Sequence, residues 1–116
     1  MNSQIIKDHV TIFEDFIKNN FIKENNYYIF NNNVFKQIIY NNNMDDFLKK
    51  LKDYYFKNKY YYLERNPITI NNFTTIIRQI CKKNNIEYKK NIKYNKSKYN
   101  IEYHIFIDNV VWIYEI

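Results

Sequence analysis

NNFTTIIRQICKKNNIEYKKNIKYNKSK, residues 71–98, opens with the spacing of a helix and closes with the alternation of a lysine-rich hairpin. It holds eight cations, Arg78, Lys82, Lys83, Lys89, Lys90, Lys93, Lys96 and Lys98, against the single acid Glu87. The stretch therefore carries +7 in a chain of net charge +6, and the remaining residues sum to −1. The basic character is local. A concentrated cationic segment on a balanced chain is the electrostatic footprint of a domain that grips a polyanion, most often nucleic acid. A solvated face that keeps the protein soluble gives the same count.

Within the stretch, Ile70, Phe73, Ile76, Ile77 and Ile80 recur at three and four and predict a helix from Thr69, Asn71 or Asn72 to about Lys83. Cys81, at the edge of that stripe, reads as a small core residue, because no histidine lies nearby in sequence to activate it. The opposite face presents Asn71, Thr75, Arg78, Gln79 and Lys82. These side chains suit base edges: arginine forks onto guanine O6 and N7, and Asn or Gln pairs with adenine. Asn71, Thr75, Arg78 and Gln79 are the candidate base contacts, with Arg78 foremost and Gln79 turned partly toward the hairpin. Lys82, Lys83, Lys89, Lys90, Lys93, Lys96 and Lys98 are the candidate phosphate contacts, which set position and affinity without reading sequence.

Asn84-Asn85 ends the helix. If Tyr94 and Tyr99 flank the loop 95–98, Ile92 faces Ile101, Tyr88 faces Ile105 and Ile86 faces Ile107, so one register satisfies every apolar pair. The other face then carries Glu87, Lys89, Asn91, Lys93, Asn100, Glu102 and His104. Lys90 is the polar residue of the apolar parity, where the hairpin outruns the core.

Upstream, Pro67 breaks regular structure, and a helix over about 44–57 is expected, capped by Asn43, with Asp45 and Asp46 in its first turn. Its stripe is Met44, Phe47, Leu48, Leu51, Tyr54 and Tyr55. YYIF (27–30) and VFKQIIY (34–40) flank Asn31, Asn32 and Asn33 as a hairpin would, with a helix over 34–40 as the competing reading. Ser3 caps a first helix with Ile5, Ile6, Val10, Phe13, Phe16 and Ile17 inward, ending near Asn19 and Asn20 in a left-handed asparagine cap. Downstream, VVWIYEI (110–116) reads as a last strand, able to close the sheet or to pair with a second copy in a homodimer.

The order helix, hairpin, helix, helix, hairpin is that of a winged-helix domain. NNFTTIIRQICKKNNIEYKK moreover resembles the recognition-helix signature of the heat shock factor DNA-binding domain, an aromatic-Val-Arg-Gln-Leu run followed by a turn and a lysine-bearing strand. Arg78 and Gln79 match its Arg-Gln, and Ile80 stands for its Leu. Phe47 and Tyr55-Phe56-Lys57 look like the family's phenylalanine and its Tyr-Phe-Lys helix terminus. Residues 58–70 replace a tight turn of the family, and Asn84-Asn85-Ile86 replaces its aromatic-Gly-Phe. The resemblance covers about residues 5–107 and implies an α+β winged helix-turn-helix with three helices, a small antiparallel sheet and a long wing over 86–107, the chain 1–116 being taken as a single such domain. It also implies a double-stranded DNA partner, with helix 71–83 in the major groove and the wing on the phosphates.

The rest of the composition bounds the alternatives. With 116 residues, 46% of them hydrophobic, the chain builds one core. Glycine and alanine are absent while Asn, Lys, Ile and Tyr abound, as in an AT-rich genome such as that of a large DNA virus or one of its parasites. A single cysteine excludes an internal disulfide and fits a reducing, intracellular compartment, and no run is apolar enough for a membrane. His9 and His104 have no ligand partners at metal spacing, and no glycine loop exists to cradle a phosphate. The sequence thus implies no enzyme, no metal and no cofactor. Besides duplex binding, two readings remain: thirteen tyrosines stacking single-stranded bases, and an assembly module pairing through 110–116.

Overall fold

In the computed structural model, residues 3–95 and 98–107 are described, the side chains of 3–8, 61, 95, 98 and 99 excepted. The stripe of the first segment forms α1 (Ser3–Asn20), which buries Val10, Phe13, Phe16 and Ile17. It ends where expected but by other means: the Asn20 amide donates back to Phe16 O, and neither Asn19 nor Asn20 is left-handed. Among the described residues, the left-handed non-glycine positions are Asn25, Asn42 and Asn85. In a chain without glycine, asparagine carries that role, because its short polar side chain tolerates positive φ better than most.

The hairpin expected over 27–40 is not formed. YYIF is β2 (Tyr27–Phe30), but it pairs backward with β1 (Ile22–Glu24) across Asn25-Asn26, in the register Ile22↔Ile29 and Glu24↔Tyr27. Residues 34–40 lie in α2 (Asn32–Tyr40), so the competing helical reading holds. The reason is local. Asn31, read as a turn residue, has an extended backbone, and its Oδ1 accepts the amide of Val34 at 3.0 Å, which is an N-cap. Val34 and Ile38 are then buried one turn apart.

The helix expected over about 44–57 forms, but its last turn is not α-helical. After α3 (Met44–Leu51), one π-helical turn, Lys52–Phe56, widens the spiral. The extra residue shifts the phase of the stripe, so that Phe56 is buried while Tyr54 is exposed and Tyr55 is half-buried. Asn43 is the N-cap residue of α3, as expected, but its side chain makes no capping hydrogen bond; its amide donates instead to Asn20 Oδ1 at 2.8 Å, tying α3 to the end of α1. A short helix, α4 (Tyr60–Arg65), occupies the segment before Pro67. Three helices were expected and five are present among the described residues.

α5 (Ile70–Lys83) begins at Thr69, whose Oγ1 accepts from Asn72 N at 3.2 Å. It ends in left-handed Asn85, with Ile86 N reaching Cys81 O at 2.9 Å, a Schellman closure that folds Ile86 into the core. β3 (Tyr88–Asn95) and β4 (Lys98–Ile105) follow, in the expected register: Tyr88↔Ile105, Ile92↔Ile101 and Tyr94↔Tyr99. Asn95 and Lys98 also pair, leaving a two-residue connection rather than a four-residue loop. β2 pairs with β4, so the antiparallel sheet runs β1-β2-β4-β3. The fold is α+β. Tyr28, Phe30 and Ile105 turn to the helices, where Phe13, Phe16, Phe47 and Phe73 interlock; the Phe16 and Phe47 rings stack at 3.9 Å, and Phe73 meets Phe16 edge-on at 6.1 Å.

Candidate nucleic-acid interface

α5 is positioned from behind. Phe73, Ile76, Ile77, Ile80 and Cys81 are buried, and at about 100° per residue they occupy one side of the helix. Burial pushes the Cys81 thiol up to about 12, which removes it as a nucleophile. Asn71, Thr75, Arg78, Gln79, Lys82 and Lys83 are all exposed. The first five fall within an arc of roughly 100° opposite the buried side. Thr75 Oγ1 donates to Asn71 O at 3.0 Å, so its hydroxyl offers only its lone pairs outward. Arg78 Nε donates to Tyr88 Oη at 3.4 Å, and this contact raises the guanidinium above its ordinary value. Arg78 thus touches the hairpin at its first strand residue.

The C-terminal end of α5 is held by a polar chain that the sequence did not reveal. Asn84 Nδ2 donates to Tyr55 Oη at 2.7 Å, and Tyr55 Oη lies 2.6 Å from His9 Nδ1. One helix end, the π turn and α1 are thereby joined. The Tyr55 hydroxyl is pushed up to about 12 by burial, against the opposing pull of Asn84, and burial lowers His9. The His9 ring stacks on Tyr54 at 4.6 Å, and Lys83 Nζ stands 5.4 Å above the Tyr55 ring. Sequence spacing gave no hint of this, since the partners lie 46 and 29 residues apart.

The hairpin divides the lysines that the sequence grouped together. Strand alternation sets Lys90 on the side of Tyr88, and hence of Arg78, with Ile92 and Tyr94. Lys89 and Lys93 lie on the other side and are engaged by acids: Lys89 with Glu87 at 3.8 Å, Lys93 with Glu102 at 3.3 Å. There Tyr27 stacks on His104 at 4.3 Å, and Lys89 stands 5.4 Å over the Phe106 ring. Burial alone would push the Glu102 carboxyl up, but hydrogen bonds from His104, Lys93 and Asn31 outweigh it and hold it below the usual range. Lys96 and the strand expected over 110–116 lie outside the described residues, as does the side chain of Lys98. The hairpin does outrun the core: Ile92 is 42% exposed and Tyr94 79%.

Among the described residues, no group of His, Cys, Asp and Glu could hold a metal ion, and no helix is long and apolar enough to cross a membrane. No protein-family model matches the chain, and neither does any curated protein or solved structure.

Proposed function

We propose that the chain binds double-stranded DNA as a winged-helix domain of the heat shock factor type, in the manner of a transcription regulator. α5 enters the major groove and reads bases through Asn71, Thr75, Arg78 and Gln79. Lys82, Lys83 and the hairpin, Lys90 first, lie along the phosphate backbone. One observation carries the reading: an exposed row of amide, hydroxyl and guanidinium groups on a helix whose reverse is fixed by Phe73, with the cationic hairpin against Arg78. Connectivity supports it as well. β2, from the first hairpin, pairs with β4 of the second, so the hairpin after α5 is anchored to the helices as a wing is.

A mobility-shift assay on duplexes selected from random sequence tests the proposal. Wild type retains a preferred site, and Arg78→Ala lowers affinity for that site by about 1–3 kcal/mol while leaving random duplex nearly unchanged. Equal weakening on every sequence makes Arg78 a phosphate contact and ends the base-reading claim. Binding that hardly responds to salt removes the hairpin from the backbone, because each phosphate contact contributes a log-log slope of about 0.9.

A further inference from the structure

We propose that the open edge of β4 is a docking groove for an extended peptide segment of a partner protein, one that carries a carboxylate. β2 pairs with β4 only as far as Phe30↔Tyr103, after which Asn31 turns the chain into α2. β4 continues through 98–102 toward its tip, with β3 on one side and, among the described residues, no strand on the other. A cleft of about 630 Å3 follows this edge. Ile101 and Tyr103 lie along it from β4, Asn33 and Lys36 come from α2, and Asn71 comes from the first turn of α5.

An unpaired strand edge presents a row of main-chain donors and acceptors, and proteins usually guard such edges with charge. Among the described residues the outer strands of the sheet are β1 and β3, and the 98–102 stretch of β4 is open as well. β3, an outer strand, carries Lys89, Lys90 and Lys93, the kind of charge that guards an edge against strand addition. The β4 edge at 100–102 carries Asn100, Ile101 and Glu102, and the Glu102 carboxylate is already engaged by Lys93 and lies 3.4 Å from His104 Nε2. Lys36, exposed and with no ion-pair partner among the described residues, is the one cation of the cleft. An added strand would take main-chain hydrogen bonds from β4, set alternate side chains against Ile101 and Tyr103, and place a carboxylate near Lys36. The Asn33 and Asn71 amides, which both donate and accept, can meet the outer edge of the incoming backbone.

The test uses the full 15N-labelled chain and a positional-scanning library of N-acetylated, C-amidated heptapeptides. Pools containing Asp or Glu shift the amide resonances of Asn100, Ile101 and Glu102 and slow their hydrogen exchange. Lys36→Glu transfers the preference to Lys- and Arg-containing pools. Asn100→Glu, at an exposed position, weakens binding of the acidic pools at least tenfold at an unchanged melting temperature; should it fail to fold, the Lys36→Glu preference and the exchange data decide. The proposal is overturned if no pool moves these resonances or if the response falls on β3. It is equally overturned if the same amides respond only to duplex DNA, making the cleft a nucleic-acid contact, or only to protein concentration, making it a self-association surface. DNA binding through Arg78 stands or falls independently of these outcomes.

Discussion

α5 and the β3–β4 hairpin are consecutive in the chain and share its cationic stretch, yet they are held by different forces. Five buried side chains fix α5, with Phe73 fully enclosed among the rings of Phe16, Phe30, Phe35 and Phe47. The hairpin is fixed at its root, where Tyr88 packs against the core and Ile105 is buried, and beyond Lys90 mainly by its own ladder. A helix set into a core keeps its outward groups in fixed relative positions, as base recognition requires. A strand pair that outlasts its core can adjust to a backbone or to another strand.

The largest test of this contrast is at Phe73. Phe73→Ala should cost about 3–5 kcal/mol in urea unfolding, since an aromatic ring is lost from a packed site. A smaller loss would mean that α5 is not held through that ring. Next is the chain from Asn84 through Tyr55 to His9. Tyr55→Phe should cost about 1 kcal/mol by removing the hydroxyl that both neighbours use. Wild-type stability should also fall on acidification. His9 has a folded pKa below its unfolded value of 6.5, so its contribution is complete above pH 6.5 and is lost as pH drops from there through the lowered value. Melting temperatures across pH 4–8 measure this, and a His9→Gln variant should flatten the acid limb. On the alkaline side the sign reverses: Cys81, raised from 9.0 to about 12, loses its contribution as pH rises above 9.

Two finer measurements separate the faces of the hairpin. Lys90→Ala should reduce the log-log salt slope of DNA binding by about 0.9, and Lys93→Ala by less, because Glu102 already neutralises Lys93. Equal reductions would put both faces on the backbone. The smallest effect is expected at Ile92: Ile92→Thr keeps a β-branched side chain at an exposed position and should change stability by no more than about 0.5 kcal/mol in urea unfolding. A large loss would show that the distal hairpin is packed after all.

These contrasts also mark how far the sequence could be read. The hairpin register was legible because Tyr88, Ile92, Ile101 and Ile105 alternate, and a slip of one residue would send each to the wrong face. α1 and α5 were legible from apolar spacing, and the outward row of α5 follows from the same geometry. Asn31 was not, because the same asparagine serves a turn or an N-cap, and only its bond to Val34 N distinguishes them. The two-residue turn Asn25-Asn26 carried a hairpin signal of its own, between IKE and YYIF, that the longer asparagine run obscured.

Composition and periodicity alone determined the charge of residues 71–98, the outward face of α5 and the pairing of β3 with β4, since each depends on neighbours a few residues apart. Tertiary structure decided the π turn that buries Phe56, the bond from Asn84 through Tyr55 to His9, the split of the lysines between bound and available, and the open edge of β4. Most of these depend on which segments the fold brings side by side, and spacing along a single helix or strand carries no record of that.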